Sequence, residues 1–150
     1  YKGYNSDAAR TYGVGKISEE AQRLIDAARE SFFEGLKFCK VGYRLSDVSH
    51  AIQKRVEEDG FGVIRDFVGH GIGRELHEDP QIPNFAQRRR GVKLQPGMTL
   101  AIEPMINMGK HHVVFNQKDG WTVTTKDGLP SAQWEHTFLM TENGLEILTY

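Results

Sequence analysis

Four side chains of metal-ligand type, Asp7, His70, Glu103 and Glu135, stand where the surrounding hydrophobic pattern has no place for a charge. Glu103 interrupts Leu100-Ala101-Ile102 and Met105-Ile106 in the middle of an apolar strand candidate, where an unpaired carboxylate is penalised for losing its water. Glu135 lies between Trp134 and the run Thr137-Phe138-Leu139-Met140, so two carboxylates arrive on two strands able to be neighbours. Asp7 follows Ser6 near the end of an opening strand. Singly, each has an ordinary reading, the Asp as a turn former and a strand Glu as an outward edge charge. Together they need a cation, because converging carboxylates repel until one of them takes up a proton. A divalent ion removes that conflict, and three carboxylates with one imidazole form a fairly hard donor set suited to Mn, Fe, Co or Zn and rich enough to bridge two ions.

His70 and His77 add to this set. Gly69, Gly71 and Gly73 surround the first histidine, letting backbone approach closely and leaving the imidazole free of bulky neighbours. A phosphate loop is excluded, since neither a third glycine at the right spacing nor Gly-Lys-Ser/Thr follows. His111 and His112 are adjacent, and successive strand residues face opposite ways, which makes them surface or turn residues. Trp121 and Trp134 read first as core.

The elements that must position these groups change in kind along the chain. Ser18 before Glu19 and Glu20 is a helix start, with a hydroxyl cap and acids at the positive end. Ala21, Leu24, Ile25, Ala28, Phe32 and Leu36 then recur at helical spacing until Gly42. A second helix is predicted from Ser46 or Asp47 to Asp59-Gly60, burying Val48, Ala51, Ile52 and Val56. Beyond it the period becomes that of strands: Val63 to Val68 running into the glycine loop, then Thr99 to Met105, Val113 to Phe115, Trp121 to Thr125, Gln133 to Met140 and Leu145 to Thr149. Helices followed by turn-separated strands give an α+β domain, helices covering a mostly antiparallel sheet.

Composition excludes several classes. The chain has 150 residues, 39% hydrophobic and 26% charged, enough for one globular domain over residues 1–150. Nineteen basic against 20 acidic residues, a net charge of -1, give no reason to expect a nucleic-acid or anionic-membrane partner, and the run Arg88 to Arg90 reads as a solvated turn. One cysteine, Cys39, suits a reducing compartment, and no stretch reaches the roughly 18 apolar residues of a membrane span. A cytoplasmic location follows as the expectation.

The stretch from Gly69 through His77 to Pro83-Asn84 resembles, almost residue for residue, the histidine loop of type I methionine aminopeptidases. Leu94-Gln95-Pro96-Gly97-Met98-Thr99 leading to Ile102-Glu103-Pro104-Met105-Ile106-Asn107 is similar to that family's second signature. Trp134-Glu135-His136-Thr137 with Thr141-Glu142-Asn143-Gly144 is similar to its last, and Ser6-Asp7-Ala8-Ala9-Arg10-Thr11 to its metal-bridging strand. The resemblance implies the pita-bread fold and removal of the initiator methionine from nascent polypeptides by attack of a metal-activated water. It makes Asp7, His70, Glu103 and Glu135 the ligands of the first of two metal sites, with Asp7 and Glu135 bridging to the second ion, which would hold the substrate's free amine. It gives His77 a contact with the scissile peptide, Glu103 the general-base role as well, and Leu76 and Trp121 places near the methionine side chain.

The same resemblance implies an incomplete centre. The family's private aspartate of the second site lies further upstream than the six residues before Asp7 allow, as do another catalytic histidine and most of the methionine pocket. The expectation is a C-terminal portion of the catalytic domain, weakly active or inactive alone, that pairs with a missing N-terminal half or associates with itself. The alternatives are a prolidase or aminopeptidase P, whose ending is of another type than Gln133-Trp134-Glu135-His136-Thr137, and a non-catalytic pita-bread module binding peptides or proteins, in which ligand positions are usually lost.

Overall fold

Two helices are laid down first. In the computed structural model, which describes residues 1–149, helix α1 spans Glu19–Leu36 and begins where the Ser18 hydroxyl accepts from the Ala21 N–H. Leu24, Ala27, Ala28, Ser31, Phe32 and Gly35 are buried on it, a spacing of three and four residues that draws one stripe along the helix. Helix α2 spans Leu45–Glu58 and buries Leu45, Val48, Ser49, Ile52 and Val56. It starts one residue before the predicted Ser46: Arg44 is the cap position, and Asp47 Oδ2 reaches back to accept from the Arg44 N–H at 2.8 Å. The two helices meet at Gly35, where a methyl group would stand 2.7 Å from Ile52, so the missing side chain sets their separation.

The strands are β1 (Ala8–Arg10), β2 (Gly62–Val63), β3 (Gly69–Gly71), β4 (Glu78–Ile82), β5 (Thr99–Ile102), β6 (Met105–Asn107), β7 (Val113–Phe115), β8 (Val123–Thr125), β9 (Ser131–Thr141) and β10 (Gly144–Ile147). Eight form one sheet in the order β2-β6-β9-β5-β3-β4, with β1 and β10 also paired to β9, while β7 and β8 make a separate hairpin. Every pairing is antiparallel. Phe32, Ile52, Leu100, Ile102, Ile106, Phe138 and Met140 are fully buried between the helices and this sheet. The α+β architecture is the expected one.

Four local expectations are corrected. Tyr1 to Tyr4 form a turn closed by the Tyr4 N–H to Tyr1 carbonyl bond, not a strand, and Asp7 directly precedes β1 instead of ending an opening strand. The strand predicted over Val63 to Val68 ends at Val63 and pairing resumes at Gly69. The strand predicted over Thr99 to Met105 divides at Glu103-Pro104, because proline brings no N–H to the ladder. Strand β4, over the polar Glu78-Asp79-Pro80-Gln81, carried no apolar alternation to announce it.

Gly69 and Gly71 belong to the fold before they belong to any site. Strand β3 is wedged between β4 and β5, and a Cβ at Gly69 would lie 2.4 Å from the Ala101 carbonyl oxygen, one at Gly71 2.2 Å from that of Asp79. Backbone cannot yield as a flexible side chain does, so Gly71→Ala is expected to lower stability by about 1–3 kcal/mol. Urea denaturation followed by circular dichroism measures this; an unchanged midpoint would contradict the close approach.

Candidate metal centre

Strand β9 carries the centre of the site. Gln133, Glu135 and Thr137 alternate along it with Trp134 and His136, so by strand period the three share one face. The edges of β9 are shared out. On one side β6 pairs with Ser131, Ala132 and Gln133 and β5 with residues from His136 to Leu139; on the other β1 pairs with Trp134, Glu135 and His136 and β10 with residues from Phe138 to Thr141. Asp7 enters from the start of β1, His70 from β3 opposite Ala101, and Glu103 from the break between β5 and β6.

Asp7, His70 and Glu135 each offer a ligand atom, and these atoms lie within 4.8 Å of one another. Glu103 stands outside this tightest set but beside it, its Oε1 3.5 Å from His70 Nε2. Its other oxygen accepts from Gln133 Nε2 at 3.0 Å, and its backbone carbonyl accepts from the fully buried Asn84 side chain at 3.1 Å. The His70 ring contacts the Gly71 carbonyl through Nδ1 at 2.9 Å. A proton placed on Nδ1 by that bond leaves the Nε2 lone pair facing the carboxylates, the tautomer a metal ligand needs.

The electrostatics are those of a site built around a positive charge. Burial, then the charges of Glu135 and Asp7, pushes the Glu103 carboxyl up to about 8. Burial and the charge of Asp7 push Glu135 up to about 7. Glu135 Oε1 is buried with no hydrogen-bond partner among the described residues, a state disfavoured for a carboxylate facing protein alone. A divalent cation answers both features, and an imidazole among carboxylates is the donor set of a first-row metal. The residues fit such an ion.

The remaining candidates fall into two groups. The His77 ring stands 4.3 Å from that of His70, on the exposed loop after β3, so a second imidazole lies at the mouth of the cluster. Leu76 beside it is 43% exposed, and Trp121, at the start of the segment leading into β8, is 87% exposed, correcting the reading of Trp121 as core. Neither packs into the cluster. Trp134 does pack on the core, partly buried. His111 and His112 lie in the bend before β7, half-buried and exposed respectively, with ring centroids 4.1 Å apart, the surface or turn position expected of them. Gln133, Thr137 and Asn84 carry polar contacts to the site that the sequence had marked only as parts of motifs. The first two were detectable as polar residues two positions either side of Glu135 on a buried strand.

The sequence matches metallopeptidase family M24 over residues 1–142. It is 58% identical over 147 residues to a methionine aminopeptidase of Clostridium perfringens, covering 98% of this chain and 59% of that protein. The fold superimposes on the crystal structure of methionine aminopeptidase from Thermotoga maritima with a TM-score of 0.95 and 56% identity, covering 99% of this chain and 59% of that one. Against an Xaa-Pro dipeptidase from Bacillus anthracis the TM-score is 0.75 and the identity 27%, covering 98% of this chain and 36% of the other. The chain thus spans about three fifths of the length of the curated relative it matches.

The raised carboxyls fix a pH dependence for the metal-free chain. Between their ordinary value of 4.5 and folded values of about 7 and about 8, the folded state holds protons the unfolded state has released. Stability therefore falls as pH rises through that window. His136, held low by burial, works in the opposite sense but below its ordinary 6.5. From about pH 6.5 to about pH 8.5 with chelator present, unfolding free energy is expected to drop by on the order of 2–3 kcal/mol, and a divalent ion should abolish the drop. Denaturant titrations at the two pH values measure it, and stability rising with pH would contradict the clustering of Glu103 with Glu135.

Proposed function

Because the chain belongs to metallopeptidase family M24, we propose that its carboxylate and imidazole cluster is the metal centre of an aminopeptidase that removes N-terminal methionine from nascent polypeptides. The observation that carries this reading is the convergence of Asp7, His70 and Glu135 within 4.8 Å, with Glu103 and His77 alongside. The pita-bread fold, two helices over an antiparallel sheet, holds that cluster at β9. Likeness to methionine aminopeptidases at 56–58% identity, against 27% to an Xaa-Pro dipeptidase, favours methionine over proline substrates.

In this reading Asp7, His70, Glu103 and Glu135 would hold a divalent ion, Co, Mn, Fe or Zn, and Asp7 and Glu135 would contribute to holding a second. Bound there, the ion supplies Lewis acidity, lowering the pKa of water and polarising a peptide carbonyl. The chain's own residues do the rest. Glu103 has one oxygen fixed by Gln133, which leaves Oε1 to take a proton from the attacking water and pass it to the leaving amine. His77, exposed beside His70, donates a hydrogen bond to the scissile peptide. Leu76 and Trp121, both open to solvent, would line the methionine side chain when further chain covers them.

In this reading the chain, which spans about three fifths of the curated relative it matches, is part of a catalytic domain whose site a further segment or a second chain completes. Exposed Tyr12, Val14, Phe115 and Trp121 give such a partner apolar surface to cover. A cytoplasmic location accords with the substrate. No helix among the described residues is long and apolar enough to cross a membrane.

Two measurements test this. Glu103→Gln keeps the shape and removes the charge, so affinity for Mn or Co by calorimetry, and any hydrolysis, should each fall by well over about tenfold. The same change at exposed Glu142 should do little; equal effects would remove Glu103 from the centre. In the second, methionine release from a tripeptide beginning Met-Ala is compared for this chain alone and mixed with the segment of the curated relative that the chain does not cover. Positioning of reacting groups is worth about 7–11 kcal/mol in well-oriented systems, so the chain alone should be slower by several orders of magnitude. Full activity from the chain alone would overturn the incomplete-centre reading.

A further inference from the structure

Along one edge of β9 the partner changes. Strand β1 pairs with β9 as far as His136 and β10 takes over at Phe138, so Thr137 lies at the seam between them. Its backbone is held by the C-terminal segment: the Thr137 N–H donates to Thr149 Oγ1 at 3.1 Å, and its carbonyl accepts from the Leu148 N–H at 2.9 Å. Its hydroxyl turns to the other side of the seam. There it accepts from the Asp7 N–H at 2.9 Å and donates to the Asp7 carbonyl at 2.8 Å. Thr137 is 1% exposed, so no water competes for these bonds.

One hydroxyl thus satisfies both backbone groups of the residue that brings a carboxylate to the cluster. Asp7 lies one residue before the ladder of β1 begins, where its N–H and carbonyl have no strand partner of their own. Without the hydroxyl, nothing in the ladder would fix the two torsion angles from which the Asp7 side chain is launched toward His70 and Glu135. Polar groups just outside the ligands typically change metal affinity about 10- to 100-fold when removed, because they orient what coordinates.

We propose that Thr137 is the positioning residue for Asp7, its hydroxyl clamping the Asp7 backbone so that the carboxylate reaches the metal centre preformed. This rests on the reading of Asp7, His70 and Glu135 as metal ligands. The clamp joins residues 130 positions apart in sequence, and it explains why a hydroxyl stands at a buried strand position otherwise followed by Phe138, Leu139 and Met140.

The test uses the intact chain and Mn as the probe, with bound and free ion separated by electron paramagnetic resonance. Thr137→Val keeps the shape and removes the hydroxyl, and its dissociation constant for Mn should rise by about 10- to 100-fold. Thr137→Ser keeps the hydroxyl and should stay within about threefold of the parent. Val56→Ala, in the helix core away from the cluster, controls for loss of stability and should leave Mn affinity unchanged. Unchanged affinity in Thr137→Val, or an equal loss in Val56→Ala, would overturn the clamp while leaving the metal centre standing. If the parent itself binds no Mn, Co or Zn, the metal centre is wrong and the clamp with it. Should Thr137→Val fail to fold, hydrogen exchange on the metal-free parent decides: the Asp7 amide should be as protected as the paired amides of β1, and exchange as fast as the Tyr1 to Tyr4 turn would refute the clamp.

Discussion

Mutual repulsion among carboxylates drawn out of water is the constraint on which this structure turns. Burial first, then the charges of Glu135 and Asp7, pushes Glu103 up to about 8, and burial with the charge of Asp7 pushes Glu135 up to about 7. No purely hydrophobic core would arrange itself so. The surrounding architecture keeps these groups together against that repulsion: four strands pair to β9, and helix α1 backs the sheet with Phe32 against His136 at a ring separation of 5.3 Å.

Each candidate ligand but Glu135 is positioned by a local device of its own. His70 is reached through a strand so tightly bracketed that Gly69 and Gly71 admit no side chain. Glu103 sits where Pro104 interrupts the ladder, freeing its carbonyl for Asn84 and turning its carboxylate toward Gln133. Asp7 lies ahead of its strand, with Thr137 in place of a ladder partner. Glu135 needs no such device, since it is embedded in the longest strand and paired with Ala9. Strands thus carry two of the candidate ligands, His70 and Glu135, and breaks at strand ends carry the other two.

That division also explains what the sequence disclosed. The helices were legible because a stripe such as Leu24, Ala28 and Phe32 reports directly on one-sided burial. The ligand types were legible because charge inside an apolar run needs a reason. Strand β4 was hidden, since Glu78 to Gln81 owe their pairing to the glycines opposite and not to any pattern of their own. The exposure of Trp121 was hidden as well, because a tryptophan's size argues for burial and only the hairpin geometry says otherwise. Thr137 and Gln133 could be seen in sequence as polar, but their partners lie on other elements, and hydrogen-bond geometry is not written in residue order.

The pairing of β1 with β9 joins nearly opposite ends of the described chain, and Asp7 and Thr137 stand 130 positions apart. Closing so long a loop gives up chain entropy before any contact rewards it, and topologies dominated by distant pairings fold slowly. The cluster of Asp7, His70 and Glu135 therefore depends on a pairing that a chain with its helices but without its first strand in place does not yet have. A divalent ion taken up by Asp7 and Glu135 would favour the closed loop by mass action, because the unfolded chain offers no such site.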